Sequence, residues 1–417
     1  MQHWFFWLFV SLYALHLAVE WTLDFLNWRA LNRRPAEIPP VYRATFTEED
    51  YRKSVAYTRS KMRFGWSKGI FDVAVLWTLI LTGGFHRLDQ LLSRWLPPES
   101  LAHLVAYPFL LGGILYLLSL PFSVYFQFVL EEKYGFNRMK PLTFLGDQIK
   151  TILLALVLGA PLLALLFWLV EKIGPFWWLA GWGVMLAVQF LSAALFPVLF
   201  APLFYKFTPL PDGELKEKIT QLAQKVRFKM AGIFTIDGSR RSTHSNAFFA
   251  GIGKTRRIVL FDTLAKNLAI PEIVAVLAHE MGHNVKRHIQ KSLILSAASS
   301  LAGFYVLARL LNWKPFFTAF GVPEPNLAVG FVLFGLVSAV FTFPFNPLMK
   351  WFSRKNEYEA DRFSAEVTGD KAVMTSGLLK LSKDNLSNLT PHPWYSFYHY
   401  SHPTTAERAA ALEKIGR

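Results

Sequence analysis

Seven separate stretches of this chain are long and apolar enough to cross a bilayer, and no other feature limits its possible folds as much. A spanning helix needs about 20 mostly apolar residues, because lipid offers nothing to satisfy backbone polar groups from outside the segment. Residues 4–25, 67–85, 101–129, 149–171, 175–203, 290–312 and 325–350 meet that need. The 417 residues are 53% hydrophobic and include 38 Phe and 14 Trp, more apolar surface than one water-soluble core consumes. The fold class expected is therefore an all-α polytopic membrane protein. The first stretch has no Lys or Arg ahead of it and is rich in large aromatics, so it reads as a retained helix and not as a cleaved signal.

Seven spans place the two termini on opposite sides. Arg29, Arg33, Arg34, Arg52, Lys53, Arg59, Lys61 and Arg63 follow the first span, whereas Arg87, Arg94, Lys172 and Lys314 are the sparse basic residues of alternate loops. By the positive-inside rule the N-terminus is outside and the C-terminus cytoplasmic. The expected organisation is residues 1–203 as spans one to five with their loops, 204–289 as a cytoplasmic catalytic segment, 290–350 as spans six and seven, and 351–417 as a cytoplasmic tail. The net charge of +15 sits between apolar segments, where it serves topology and contacts with anionic membrane lipids. Nucleic acid is not an expected partner. Asp72, Gln127 and Gln189 lie within spans and are expected to face the bundle interior. With no cysteine, any metal must sit on His, Glu or Asp.

Within 204–289, breakers at Pro209, Pro211 and Gly213 precede a helical spacing of apolar residues over 214–228. Gly232–Ile236, Ser245–Ala250 and Arg257–Asp262 then read as a small sheet, and Pro271 opens a further helix. That helix carries His279-Glu280-Met281-Gly282-His283. Residues four apart share a helix face, so His279 and His283 can present ring nitrogens to one zinc ion with Glu280 beside them as general base. A catalytic zinc needs a third protein ligand and an open position. Asn356-Glu357-Tyr358-Glu359-Ala360-Asp361, just after the seventh span, supplies Glu357 as that ligand and, one turn on, Asp361 to orient a ligand histidine. Glu359 faces away from that pair and is expected to be a surface or structural residue.

At these residues the chain resembles the integral-membrane CAAX prenyl endopeptidases of type I. The resemblance runs through Glu131-Glu132-Lys133-Tyr134-Gly135-Phe136-Asn137, Phe207-Thr208-Pro209-Leu210-Pro211, Asp237-Gly238-Ser239, His244-Ser245-Asn246-Ala247 and Arg257-Ile258-Val259-Leu260-Phe261-Asp262-Thr263-Leu264. His279 to His283, Glu357 to Asp361, His402-Pro403 and Glu407-Arg408 complete it. It implies a seven-span zinc peptidase, one zinc per chain, whose helices enclose a chamber beside a small α+β catalytic portion. It implies that Asn246 and His402 contact the substrate or the tetrahedral intermediate, with Arg408 beside them. Glu280, His402 and Arg408 are then the catalytic side chains, and the substrates are prenylated CAAX-type or other membrane-associated or unfolded peptides. His244, His288, His392 and His399 stay unassigned and are read as structural. The end Glu413-Lys414-Ile415-Gly416-Arg417 carries no dilysine retrieval pattern, which points to a bacterial inner membrane, the endoplasmic reticulum being the eukaryotic counterpart. The rival reading is a transporter or channel with a structural zinc. Nothing in the sequence sets an oligomeric state.

Overall fold

The computed structural model describes residues 3–33, 37–251 and 256–415. Arg34 and Gly416-Arg417, which entered the sequence reading, lie outside them. Among the described residues, six helical tracts are long and apolar enough to span a membrane, and the tract from Pro141 to Leu203 holds two of the expected stretches. The tracts begin with α1 (Trp4–Arg33) and α2 (Glu48–Leu81), which α3 (Gly84–Leu92) follows. Next is α4 (Leu101–Tyr125), prolonged by a π-helical turn to Glu131. Helices α5 (Pro141–Ile173) and α6 (Trp177–Leu195) reverse direction at Gly174, whose φ of 71° is a conformation glycine adopts without steric cost.

The sheet of the catalytic segment consists of β1 (Phe207–Pro209), β2 (Gly232–Ile236), β3 (Ala247–Ala250) and β4 (Arg257–Phe261), in the order β1-β2-β4-β3. β2 and β4 are parallel and the outer pairings antiparallel. β1 was not foreseen, and the expected strand at Ser245 begins only at Ala247, leaving Asn246 immediately before the edge strand. Against the sheet pack α7 (Glu214–Lys225), α8 (Asp262–Asn267) and α9 (Ile270–Val285). The buried core here contains Ile219, Ile258, Leu260, Leu264, Leu277 and Met281.

The chain re-enters the bundle as α10 (His288–Leu311), turns through α11 (Lys314–Thr318), and continues as α12 (Leu327–Thr342) and, after one tight turn, α13 (Asn346–Thr368). α14 (Lys371–Asp384), α15 (Pro393–His399) and α16 (Thr405–Glu413) form the tail. The tail folds back onto the start of the chain: buried Asn27 accepts hydrogen bonds from the His392 amide (3.1 Å) and Asn388 Nδ2 (3.3 Å).

The membrane helices do not pack as a solid bundle. Only 6% of the most apolar window of α2 is buried, 17% of that of α1 and 11% of that of α10. A close-packed helix would bury at least the stripe facing its neighbours, so these helices leave most of their apolar surface uncovered by protein. An aromatic cluster of Phe5, Phe9, Phe85, Tyr107, Phe316 and Phe320 packs together where α1 begins and α2 finishes. The tail lies at the other end of α1, against Asn27. Of the polar span residues, Gln127 Nε2 donates to Asn137 Oδ1 (2.6 Å) and Gln189 Nε2 to Ser296 Oγ (3.4 Å), while Asp72 pairs with Lys68 on its own helix (2.7 Å).

Candidate active site

Two crossing helices build the site. α9 has Pro271 in its first turn and is capped at its start by Glu272, which accepts the Ala269 amide (2.8 Å). α13 lies directly against it, pinned by a buried hydrogen bond from Ser364 Oγ to the Ala275 carbonyl (2.7 Å). Gly282 permits the approach: a Cβ there would lie 3.2 Å from Ala360 Cα and 3.0 Å from Phe363 Cδ1. This crossing places Glu357 of α13 opposite His279 and His283 of α9.

The three residues bring their donor atoms into a compact triangle. His279 Nε2 and His283 Nε2 are 3.2 Å apart, His279 Nε2 is 3.3 Å from Glu357 Oε2, and His283 Nε2 is 3.3 Å from Glu357 Oε1. A tetrahedral zinc with bonds of about 2.0–2.1 Å separates its donors by about 3.3 Å, which these separations match. Glu357 Oε2 is fully buried between His279 Nε2 at 3.3 Å and His402 Nδ1 at 2.8 Å, an arrangement costly for a carboxylate facing ring-nitrogen lone pairs unless a cation meets it. On both counts the residues fit a zinc ion.

The surrounding groups fix the histidine tautomers. His279 Nδ1 lies 2.7 Å from Asp361 Oδ1, so its proton sits on that side and Nε2 keeps its lone pair for a metal. Arg408 holds Asp361 in turn, with Nε at 2.8 Å and Nη2 at 2.6 Å. Arg408 comes from α16, whose first turn is set by reciprocal bonding between Thr404 and Glu407. Burial and the Arg408 charge lower the His279 pKa, and Asp361 and Glu357 raise it more, to about 9. His402, in the loop before α16, places Nδ1 2.8 Å from Glu357 Oε2 with most of its ring exposed. Asn246, His279, Glu280, Glu357, His402 and Arg408 all line one cleft of about 250 Å³.

Two family models divide the chain between them. Residues 27–206 match the CAAX prenyl protease N-terminal region with five membrane helices, and residues 209–416 match peptidase family M48. The chain belongs to peptidase family M48. It is a membrane zinc metallopeptidase of the type I CAAX prenyl protease group. The CAAX prenyl protease 1 of Saccharomyces cerevisiae is 36% identical over 94% of this chain and 92% of its own length. The Homo sapiens homolog is 30% identical over 93% and 91%. The crystal structure of S. mikatae Ste24p superposes with a TM-score of 0.90 at 34% identity, covering 98% of each chain.

In this peptidase the sequence reading missed one part of the site. His288, read as structural, is buried with Nδ1 3.1 Å from His283 Nδ1 and Nε2 3.1 Å from Glu359 Oε2. Glu359, expected to be a surface or structural residue, ends a relay to the second histidine of the donor triangle. The relay depends on Arg287, whose φ of 58° reverses the chain between α9 and α10 and folds His288 back. Left-handed backbone at a non-glycine residue is uncommon, so helical spacing alone gave no sign of it.

His244 belongs to a clamp and not to the cleft lining. Its Nε2 lies 3.2 Å from Glu131 Oε2 and its Nδ1 2.9 Å from Asn385 Oδ1, and its ring stacks on Phe136 at 3.9 Å. Glu131 also accepts Tyr57 Oη (2.5 Å). Glu131 and His244 thereby tie α2 and the turn after α4 to the segment before β3 and to the tail.

Proposed function

We propose that this peptidase cleaves peptide bonds near the membrane surface of prenylated CAAX-type or other membrane-associated peptides, with one zinc held by His279, His283 and Glu357. The observation that carries the reading is the donor triangle, closed on one side by Asp361 and open on the other to the cleft. When bound, zinc polarises the scissile carbonyl and acidifies a water. Glu280, next to His279 and lining the cleft, takes the proton of the attacking water and returns it to the departing amine.

His402 has a ring free to reach past Glu357, and it donates to the oxyanion that develops on the carbonyl. Asn246 is exposed at the mouth of the same cleft. It precedes edge strand β3, which among the described residues pairs only with β4, so an extended substrate can add to that edge through backbone hydrogen bonds. Arg408 is engaged by Asp361, and its part is to hold Asp361 and hence His279. In this reading the zinc site faces the cytoplasm, residues 204–289 and 351–417 form the catalytic portion, and the interior between the helices receives the lipid or extended part of the substrate. The relatives are named for prenylated CAAX substrates, which favours that class.

The test is cleavage of a quenched fluorescent peptide, prenylated and unprenylated, by detergent-purified wild type and Glu280→Gln, with zinc measured on both. Cleavage by wild type alone, with about one zinc on each protein, is the expected result. A protein that holds zinc and cuts neither peptide would sink the substrate assignment.

A further inference from the structure

A second cavity of about 630 Å³ adjoins the catalytic cleft, and His402 and Asn385 line both. That volume lies in the range of about 300–1,000 Å³ typical of ligand pockets. The cavity runs between α1, α2 and the tail, with Tyr57, Lys61, Asp24, Tyr395 and His399 in its walls. Its one lysine is Lys61, whose side chain is exposed into the space. Among the described residues no carboxylate lies within 4.0 Å of Lys61 Nζ, whose marked neighbour is the Tyr57 ring at 5.0 Å. Glu131, the acidic group acting on it through space, is already held by Tyr57 and His244. Asp24, the other charged wall residue, accepts Trp66 Nε1 (2.8 Å).

The position of this cation along the cavity matters. α2 starts on the catalytic side, where Asp50 pairs with Lys383 of the tail (2.7 Å). At 1.5 Å per residue, Lys61 is about 7–8 Å nearer that side than Trp66, which holds Asp24. An ammonium with no carboxylate at contact distance therefore stands nearer the catalytic side than the acidic part of the cavity, in a wall shared with His402.

We infer that this cavity is the subsite for the part of the substrate C-terminal to the scissile bond, and that Lys61 binds a carboxylate there. The inference rests on the peptidase reading above. A cation that faces the cavity with no protein counter-charge at contact distance attracts an anionic group of the ligand, and a peptide offers that as its terminal carboxylate or as an Asp or Glu side chain. With the terminal group, the cavity would select short C-terminal leaving fragments.

Three peptides of one scissile sequence separate these cases: a free acid, its C-terminal amide, and an amide whose last residue is Glu. Each is cleaved by zinc-loaded wild type, Lys61→Gln and Lys61→Arg, and kcat/KM is compared. The wild type is expected to favour the free acid over the plain amide by about tenfold to a hundredfold, the range of a hydrogen bond to a charged group. Lys61→Gln should bring the two within about twofold by slowing the acid alone, and Lys61→Arg should keep the preference. If the Glu-ended amide behaves as the free acid, the cavity accepts a side-chain carboxylate as well; if it behaves as the plain amide, the terminus itself is bound. Equal slowing of acid and amide by Lys61→Gln, or an undiminished preference, overturns the inference. Failure of the wild type on all three peptides would instead overturn the peptidase reading beneath it.

Discussion

Gly282 of α9 and Ala360 of α13 meet so closely that a single methyl group on Gly282 would come within 3.2 Å of the Ala360 backbone. The contact lies one residue before His283 and three residues after Glu357, so the separation of the two helices sets the spacing of the donor triangle. Gly282→Val should push α13 away, widen the triangle and destabilise the protein by about 1–3 kcal/mol, the usual cost of overpacking. Thermal unfolding and zinc content after desalting check this. Full zinc retention would show that the crossing tolerates the added volume.

Glu280 lines the cleft but is outside the donor triangle. Glu280→Gln is expected to keep its zinc and lose about 10²–10⁴-fold in turnover, the usual contribution of a general base. Loss of the metal in this variant would contradict the assigned role.

The relay Glu359–His288–His283 predicts a metal-affinity effect from residues that touch no metal. His288→Ala leaves the outer nitrogen of His283 without its partner and should weaken zinc binding by about 10–100-fold, as loss of such orienting groups does. Glu359→Gln, which keeps an acceptor, should weaken it less. Competition with a chromogenic chelator measures both. Wild-type affinity in His288→Ala would make the histidine a packing residue only.

Glu272 links stability to pH. Burial pushes its carboxyl up, but the hydrogen bonds from Lys380, Ser376 and the Ala269 amide pull it further down, leaving it below its ordinary value of 4.5. Because the folded pKa is the lower one, the group stabilises the protein fully above the unfolded pKa and loses that contribution as pH falls through the folded one. Below pH 4.5 the wild type should therefore lose stability faster than Glu272→Gln. Unfolding midpoints of the two proteins from pH 7 to pH 3.5 would show converging curves, and parallel curves would disprove the linkage.

Much of this protein was readable because its governing periodicities are local. The membrane stretches follow from the length of apolar runs. The H-E-x-x-H pair follows from four-residue spacing on one helix, and Glu357 and Asp361 from the same spacing after the last span. The family resemblance supplied Asn246, His402 and Arg408, which no periodicity marks. Tertiary structure decided what depends on contacts between distant segments. The triangle needs α9 and α13 pressed together at Gly282. Arg408 reaches Asp361 only because the tail folds back over both helices, and its guanidinium is thereby committed to Asp361. His288 joins the site through a left-handed turn at Arg287 that its sequence does not announce. The cavity at Lys61 exists because the tail folds back over α1 and α2, and hydropathy cannot tell a helix flank that meets lipid from one that lines such a space.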